Sequence, residues 1–192
     1  MNKISDKQQN KIIGSRQNIL KNASELFSEF GFLGVSMSDI AEKLNMTKAA
    51  LYYHFESKKE LYLNVLDNTF EELKKFIDEK ISEAESREEI IFKAIEGYLE
   101  FGLKEKNLIK SSFFKSTKKD LEVADYIADL KKKVNLLFQN YLKRKEPNFI
   151  SFLLGTIDTM VIEASLLNKK LRKKNIISKI FKIFFPAYEK QN

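Results

Sequence analysis

The sequence predicts an all-α protein, and three observations lead there. Over long stretches apolar residues recur three and four positions apart, as one face of a 3.6-residue helix requires. Runs of β-branched residues with period two, the mark of a half-buried strand, are hard to find. Only two Pro and six Gly interrupt 192 residues, so helices can run long, and a 43% hydrophobic content is enough for a real core.

Local signals place the helices in order. Residues 1–14 are polar and basic and are expected to form a flexible basic segment. Ser15 reads as an N-cap, after which Ile19, Leu20, Ala23, Leu26, Phe27 and Phe30 recur at helical spacing. Gly31 ends that helix, since a left-handed C-terminal residue costs Gly least. In the stretch GVSMSDIAEKLNM, Ser36 is the N-cap of a short second helix. The Asp39 carboxylate reaches back to it in a variant of the capping box. Ile40, Ala41 and Leu44 form one apolar face, and Asn45 takes the left-handed conformation at its end. Thr47 caps a third helix that reaches only to about Phe55, because Ser57 and Glu60 form another capping box.

From Ser57 a fourth helix carries Leu61, Val65, Leu66, Phe70, Leu73, Phe76, Ile77 and Ile81. Ser86 with Glu89 opens a fifth, through about Lys104. A sixth is expected over 107–116 and a seventh over 120–145. Pro147 suits the first turn of an eighth, where its missing N–H costs nothing. A ninth runs from about Asn175 to Phe185, before Pro186.

Composition narrows the function classes. There is no Cys and a single His, so thiol chemistry and disulfides have no residues to work with, most metal chemistry is poorly supported, and no cofactor or metal is expected. No glycine-rich phosphate loop is present, and His54 has no partners for catalysis, so an enzyme is not expected. The longest apolar stretch, FISFLLGTIDTMVIEASLL, is broken by Asp158 and Glu163 and reads as a buried helix rather than a membrane span. With no signal peptide at the start, a cytoplasmic address is the default. Net charge is +7, which favours a polyanionic partner without naming one. Residues 1–60 hold nine Lys and Arg against seven Asp and Glu, so most of the excess lies further on.

The third helix raises a question of its own. Tyr52, Tyr53 and His54 directly precede Phe55, and neighbours on a helix point 100° apart, so they cannot all face one core. With Leu51 at zero, Phe55 falls at 40°, and this pair defines the buried side. Ala49 and Tyr53 face away, while Tyr52 and His54 lie along the flanks. A helix of this length is about 12 Å long, matching the roughly 12 Å width of a B-DNA major groove. Small Ala49 and Ala50 let the backbone approach base edges, and the rings can reach phosphates. Thr47, Lys48, Ser36, Ser57 and Lys58 add hydroxyl and ammonium donors at three helix N-termini, where the dipole already favours an anion.

SMSDIAEKLNMTKAALYYHFESKKELY resembles the helix-turn-helix of the TetR family of bacterial transcriptional regulators. The preceding ILKNASELFSEFGFLGVS resembles that family's first helix and its Gly-aromatic exit. The resemblance covers about residues 15–63. It implies that Ser36 and Thr47 cap helices and meet phosphates, and that Lys48, Ala49 and Ala50 lie at the groove-facing start of the recognition helix. It also implies that Tyr52, Tyr53 and His54 touch phosphates or bases and that Lys58 meets a phosphate. Three positions depart from the pattern: Ala49 and Asn45 stand where Gly is commoner, and Glu56 replaces a residue that is frequently basic or polar.

The resemblance further implies a DNA-binding domain over 15–60 and a helical effector-binding and dimerisation domain over 61–192. The partners would be a double-stranded operator, a small-molecule effector of unknown identity and a second copy of the chain, with no membrane. The expected function is a ligand-responsive repressor on a pseudo-palindromic operator. A constitutive architectural DNA binder without an effector is the alternative. Tyr98, Phe101, Phe114, Tyr126 and Asp158 are the candidate pocket residues. For Asp158 and Glu163 a polar edge of a subunit interface is the preferred reading over a pocket for a cationic ligand.

Overall fold

In a computed structural model, the described residues are 6–107, 120–144, 146–167 and 172–186, with side chains from residue 15. Their regular elements are all helices. These are α1 (Asp6–Phe30), α2 (Met37–Lys43), α3 (Lys48–His54), α4 (Lys58–Ile81), α5 (Arg87–Lys104), α6 (Leu121–Leu142), α7 (Pro147–Leu166) and α8 (Lys173–Phe184). The helix expected over 107–116, with Phe113 and Phe114, falls almost wholly outside the described residues.

Caps account for most boundaries. Ser36, Thr47, Ser57, Ser86 and Asp120 each accept a hydrogen bond from the backbone N–H three residues on, at the start of α2, α3, α4, α5 and α6. Ser36 and Asp39 close a full capping box. At α4 and α5 the reciprocal bond slips by one residue: Glu60 accepts from the Glu56 N–H and Glu89 from the Glu85 N–H. Gly31 (φ 72°) and Asn45 (φ 50°) take the left-handed conformation expected of them.

Two boundaries differ from the sequence reading. The first helix begins at Asp6 rather than after Ser15. Residues 6–14 contain no Pro, and their single Gly costs a helix only about 1 kcal/mol, too little to stop it. The helix before Pro147 stops at Leu142 rather than Lys145. Lys143 turns left-handed (φ 47°), and the Arg144 guanidinium lies 4.3 Å over the Phe149 ring, drawing the chain into the α7 turn.

The helices enclose two cores. In the first, Ile19, Ala23 and Phe27 of α1 meet Ile40, Leu51, Phe55 and Leu61, Tyr62 and Val65 of α4, with Val123 and Ile127 of α6 closing one side. Its aromatic centre is Tyr62, with Phe27 edge-on at 4.9 Å and Phe32 at 5.0 Å. The second packs Leu73 and Ile77 of α4 with α5, Phe138 of α6, and buried faces of α7 and α8. Thus α4 and α6 belong to both cores. At Gly97 a Cβ would stand 3.2 Å from the Ile77 and Lys80 side chains, so the missing side chain lets α5 lie close on α4.

By length and composition alone α7 could cross a membrane over 148–166. Its inward face (Ile150, Leu153, Leu154, Ile157 and Val161) is instead part of the second core, and Ala164 is buried as well. The opposite face, with Asn148, Phe152, Gly155, Thr159, Glu163 and Leu166, is exposed.

Candidate nucleic-acid interface and ligand cavity

The recognition surface is built by caps on one side and by two buried anchors on the other. Leu51 and Phe55 are fully buried, which fixes the rotation of α3. That rotation turns Tyr53 (74% exposed), Tyr52 (46%), Lys48 and Ala49 outward, as the helical wheel requires. The Thr47 hydroxyl accepts the Ala50 N–H at 3.1 Å, so the first turn of α3 is capped while Thr47 itself stays exposed.

Beside α3 runs a concavity of about 460 Å³, lined by Leu33, Gly34, Ser36, Lys48, Tyr52 and Lys58 among others. The start of α2, the start of α3 and the start of α4 converge there. Gly34 is confined sterically: a Cβ would lie 2.4 Å from the Phe30 carbonyl oxygen. Lys58 is not a free ammonium. It donates to the Phe32 carbonyl at 2.8 Å and lies 4.4 Å from the Phe32 ring centroid. Partial burial lowers its pKa, and the Asp39 carboxylate pulls the other way. Two of its three N–H donors remain for another acceptor. Asp39 is held below the ordinary carboxylate range by the Ser36 backbone N–H and then the Ser36 hydroxyl.

His54 turns toward α1, with Nε2 3.4 Å from the Ser15 hydroxyl and its ring edge-on to Tyr53. The residue that holds this end of α3 is Arg16. Its guanidinium donates to the His54 carbonyl at 3.0 Å and to Asn64 Oδ1 at 2.6 Å, and lies 4.2 Å over the Phe55 ring. One side chain thereby ties α1, α3 and α4. The sequence did carry a signal for it: Arg16 precedes Ile19, Leu20 and Ala23 by three, four and seven positions, so an α1 that starts earlier puts it on the buried face.

A second concavity, of about 520 Å³, lies between α4, α5, α6 and α7. Three of the expected pocket residues line it: Tyr98, Phe101 and Asp158. Phe114 lies outside the described residues. Tyr126 is outside the lining, because its hydroxyl is drawn to the Asp67 carboxylate on α4. Asp158 lines the cavity, and Tyr98 donates to its Oδ1 at 2.7 Å. Burial raises the Asp158 pKa, against the Tyr98 hydrogen bond and the Lys131 charge. Burial, then the adjacent Asp158, holds the Tyr98 phenol well above its usual range. Glu163 lies instead on the exposed stripe of α7.

Residues 19–65, which span the helix-turn-helix and its anchors, match the bacterial regulatory proteins of the tetR family. It is the first domain, over those residues, that carries the tetR-family match. The biofilm-operon negative transcriptional regulator IcaR of Staphylococcus aureus (strain Newman) is 44% identical over 62 residues, 32% of this chain and 33% of that protein. The chain thus matches about a third of that relative's length. The fatty acid degradation regulator FadR of Bacillus halodurans superposes with a TM-score of 0.75 at 15% identity, over 88% of this chain and 96% of that one. FadR of Bacillus subtilis, solved with stearoyl-CoA, gives 0.74 at 16% identity over the same shares. At that identity the likeness concerns the fold, and it extends through the C-terminal helices.

Within the matched region, Ser36, Lys48, Tyr52 and Lys58 converge on one concavity, while Thr47, Ala49, Ala50 and Tyr53 lie along the α3 surface. His54 is the one candidate whose ring packs back against α1. Sequence reasoning missed Arg16 and the groove wall formed by Leu33 and Gly34.

Proposed function

We propose that this protein is a TetR-family, ligand-responsive repressor that binds a pseudo-palindromic operator as a homodimer in the cytoplasm. The observation that carries the reading is α4. Its first residue, Lys58, lines the concavity beside the recognition helix, and Leu66, Thr69, Phe70 and Leu73 of the same helix line the 520 Å³ cavity. A helix is stiff along its axis, so an occupant that displaces α4 at the cavity also displaces α3. A ligand that favours the displaced state must weaken DNA binding, and by linkage the operator weakens the ligand equally. A coupling of about 1–3 kcal/mol is the usual range.

The exposed stripe of α7 supports the homodimer. Phe152 is 72% exposed and Ile183 on α8 is 68% exposed, an apolar surface whose burial is favourable. Small Gly155 and Thr159 between the large side chains leave room for a second helix to approach.

The reading is tested by selecting duplexes from a random pool with the full chain and footprinting the winners. It requires sites with two-fold symmetry, half-sites about one helical turn apart or somewhat more, and two chains per site. Asymmetric sites, or one chain per site, would reject it. An architectural binder would show no operator affinity change on filling the cavity.

A further inference from the structure

Apolar side chains make up most of the cavity wall, among them Leu66, Phe70 and Leu73 of α4, Phe101 of α5 and Leu154 of α7, and its polar members include Asn135 of α6 and Ser151 of α7. Its two threonines spend their hydroxyl donors on their own helices: Thr69 donates to the Val65 carbonyl and Thr159 to the Gly155 carbonyl, each at 2.8 Å. Asp158 is different. It is an acceptor-only group when ionised, with room for about four hydrogen bonds, and among the described residues the Tyr98 hydroxyl is its one hydrogen-bond donor. Lys131, an exposed residue of the same lining, acts on it through space.

A carboxylate set into apolar surroundings is costly until donors or a counter-charge reach it. Tyr98 fixes its orientation from α5 and uses one oxygen. The volume lies within the range of roughly 300–1,000 Å³ that small-molecule sites occupy. The geometry points to an effector with an apolar body and a protonated amine that meets Asp158. This rests on the proposed reading of the cavity as the effector site and adds the ligand's chemical class. An amphiphile of the opposite charge would bring a second anion against Asp158 in a low-dielectric site, where like charges repel strongly.

The probes are dodecylamine, dodecanoate and dodecanol, which share a chain and differ in the head. Each is titrated below its micelle concentration by calorimetry against the full chain and against Asp158→Asn. The wild type should bind dodecylamine at least about ten-fold tighter than dodecanoate. Asp158→Asn keeps the shape and removes the charge, and should bring the two within about three-fold. Should Asp158→Asn fail to fold, Thr69→Phe serves instead. Thr69 lines the cavity from α4, away from the exposed face of α7, and the larger ring there should abolish dodecylamine binding.

Dodecanoate binding as tightly as the amine would overturn the assignment. So would a preference for the amine that survives both variants, since that would place it on the exposed apolar face. Failure of all three probes to bind would overturn it too. Operator titrations separate this from the broader reading. Dodecanoate that binds and releases the operator defeats the ligand class and leaves the ligand-responsive regulator standing. Amine binding that depends on Asp158 yet leaves operator affinity unchanged defeats the regulator and leaves the class.

Discussion

Arg16→Gln probes whether the recognition helix is positioned from α1. Gln keeps a polar side chain of intermediate length and loses the charge, the guanidinium plane and the reach to two acceptors. The wild-type group donates to the His54 carbonyl at 3.0 Å and to Asn64 at 2.6 Å, and stacks 4.2 Å over Phe55. Hydrogen bonds from a charged donor contribute about 1.5–3 kcal/mol each when buried. A partly exposed cation–π contact adds about 0.5–1. Arg16 is half-buried, so water compensates part of the loss, and the three contacts share one side chain and do not add fully.

A destabilisation of about 2–3 kcal/mol follows. With a urea slope of about 1–3 kcal/mol per molar, the midpoint should fall by roughly 1–2 M with the slope unchanged. Operator affinity should fall with it, because the last turn of α3 loses its tether. The salt dependence of binding should not change, since both guanidinium hydrogen bonds go to protein acceptors rather than phosphate. A loss below about 0.5 kcal/mol, the range of ordinary surface substitutions, would refute the tether. A salt slope reduced by about one would show that Arg16 meets DNA directly.

Lys48 is exposed beside the groove, so Lys48→Ala should weaken binding to all sequences alike and flatten the salt slope by about 0.9, with unfolding unchanged. Lys58→Ala should differ by also costing about 1 kcal/mol of stability, because it removes the bond to Phe32; paired urea and operator titrations distinguish the two. Asp39 has a folded-state pKa below its ordinary 3.8, so its stabilisation is present above that value and is lost as pH falls through the folded value. The stability gap between wild type and Asp39→Asn, followed by circular dichroism, should therefore be widest near neutral pH and close below about pH 4. Phe152→Glu places a charge on the exposed stripe of α7 and should raise the dimer dissociation constant by at least about ten-fold in sedimentation equilibrium, with unfolding unchanged.

The sequence by itself determined the local grammar of this protein. The caps at Ser36, Thr47, Ser57 and Ser86, the left-handed Gly31 and Asn45 and the outward Tyr53 each depend on neighbours within four residues, so propensity and periodicity carry them. α1 shows where such signals mislead, because a good cap at Ser15 does not start a helix when the residues before it are also willing to be helical. Tertiary structure decided what lies across the chain. Arg16 reaches His54 and Asn64 over 38 and 48 residues, Lys58 reaches Phe32 over 26, and Tyr98 reaches Asp158 over 60. Tyr126 and Asp158 look alike in sequence, as polar groups on amphipathic helices. Only the packing of α6 on α4 sends the first to Asp67, and only the packing of α7 on α5 sends the second into the cavity. A side chain's partner is set by which helix faces meet and at what angle, and that depends on the sum of many weak contacts rather than on any short stretch of residues.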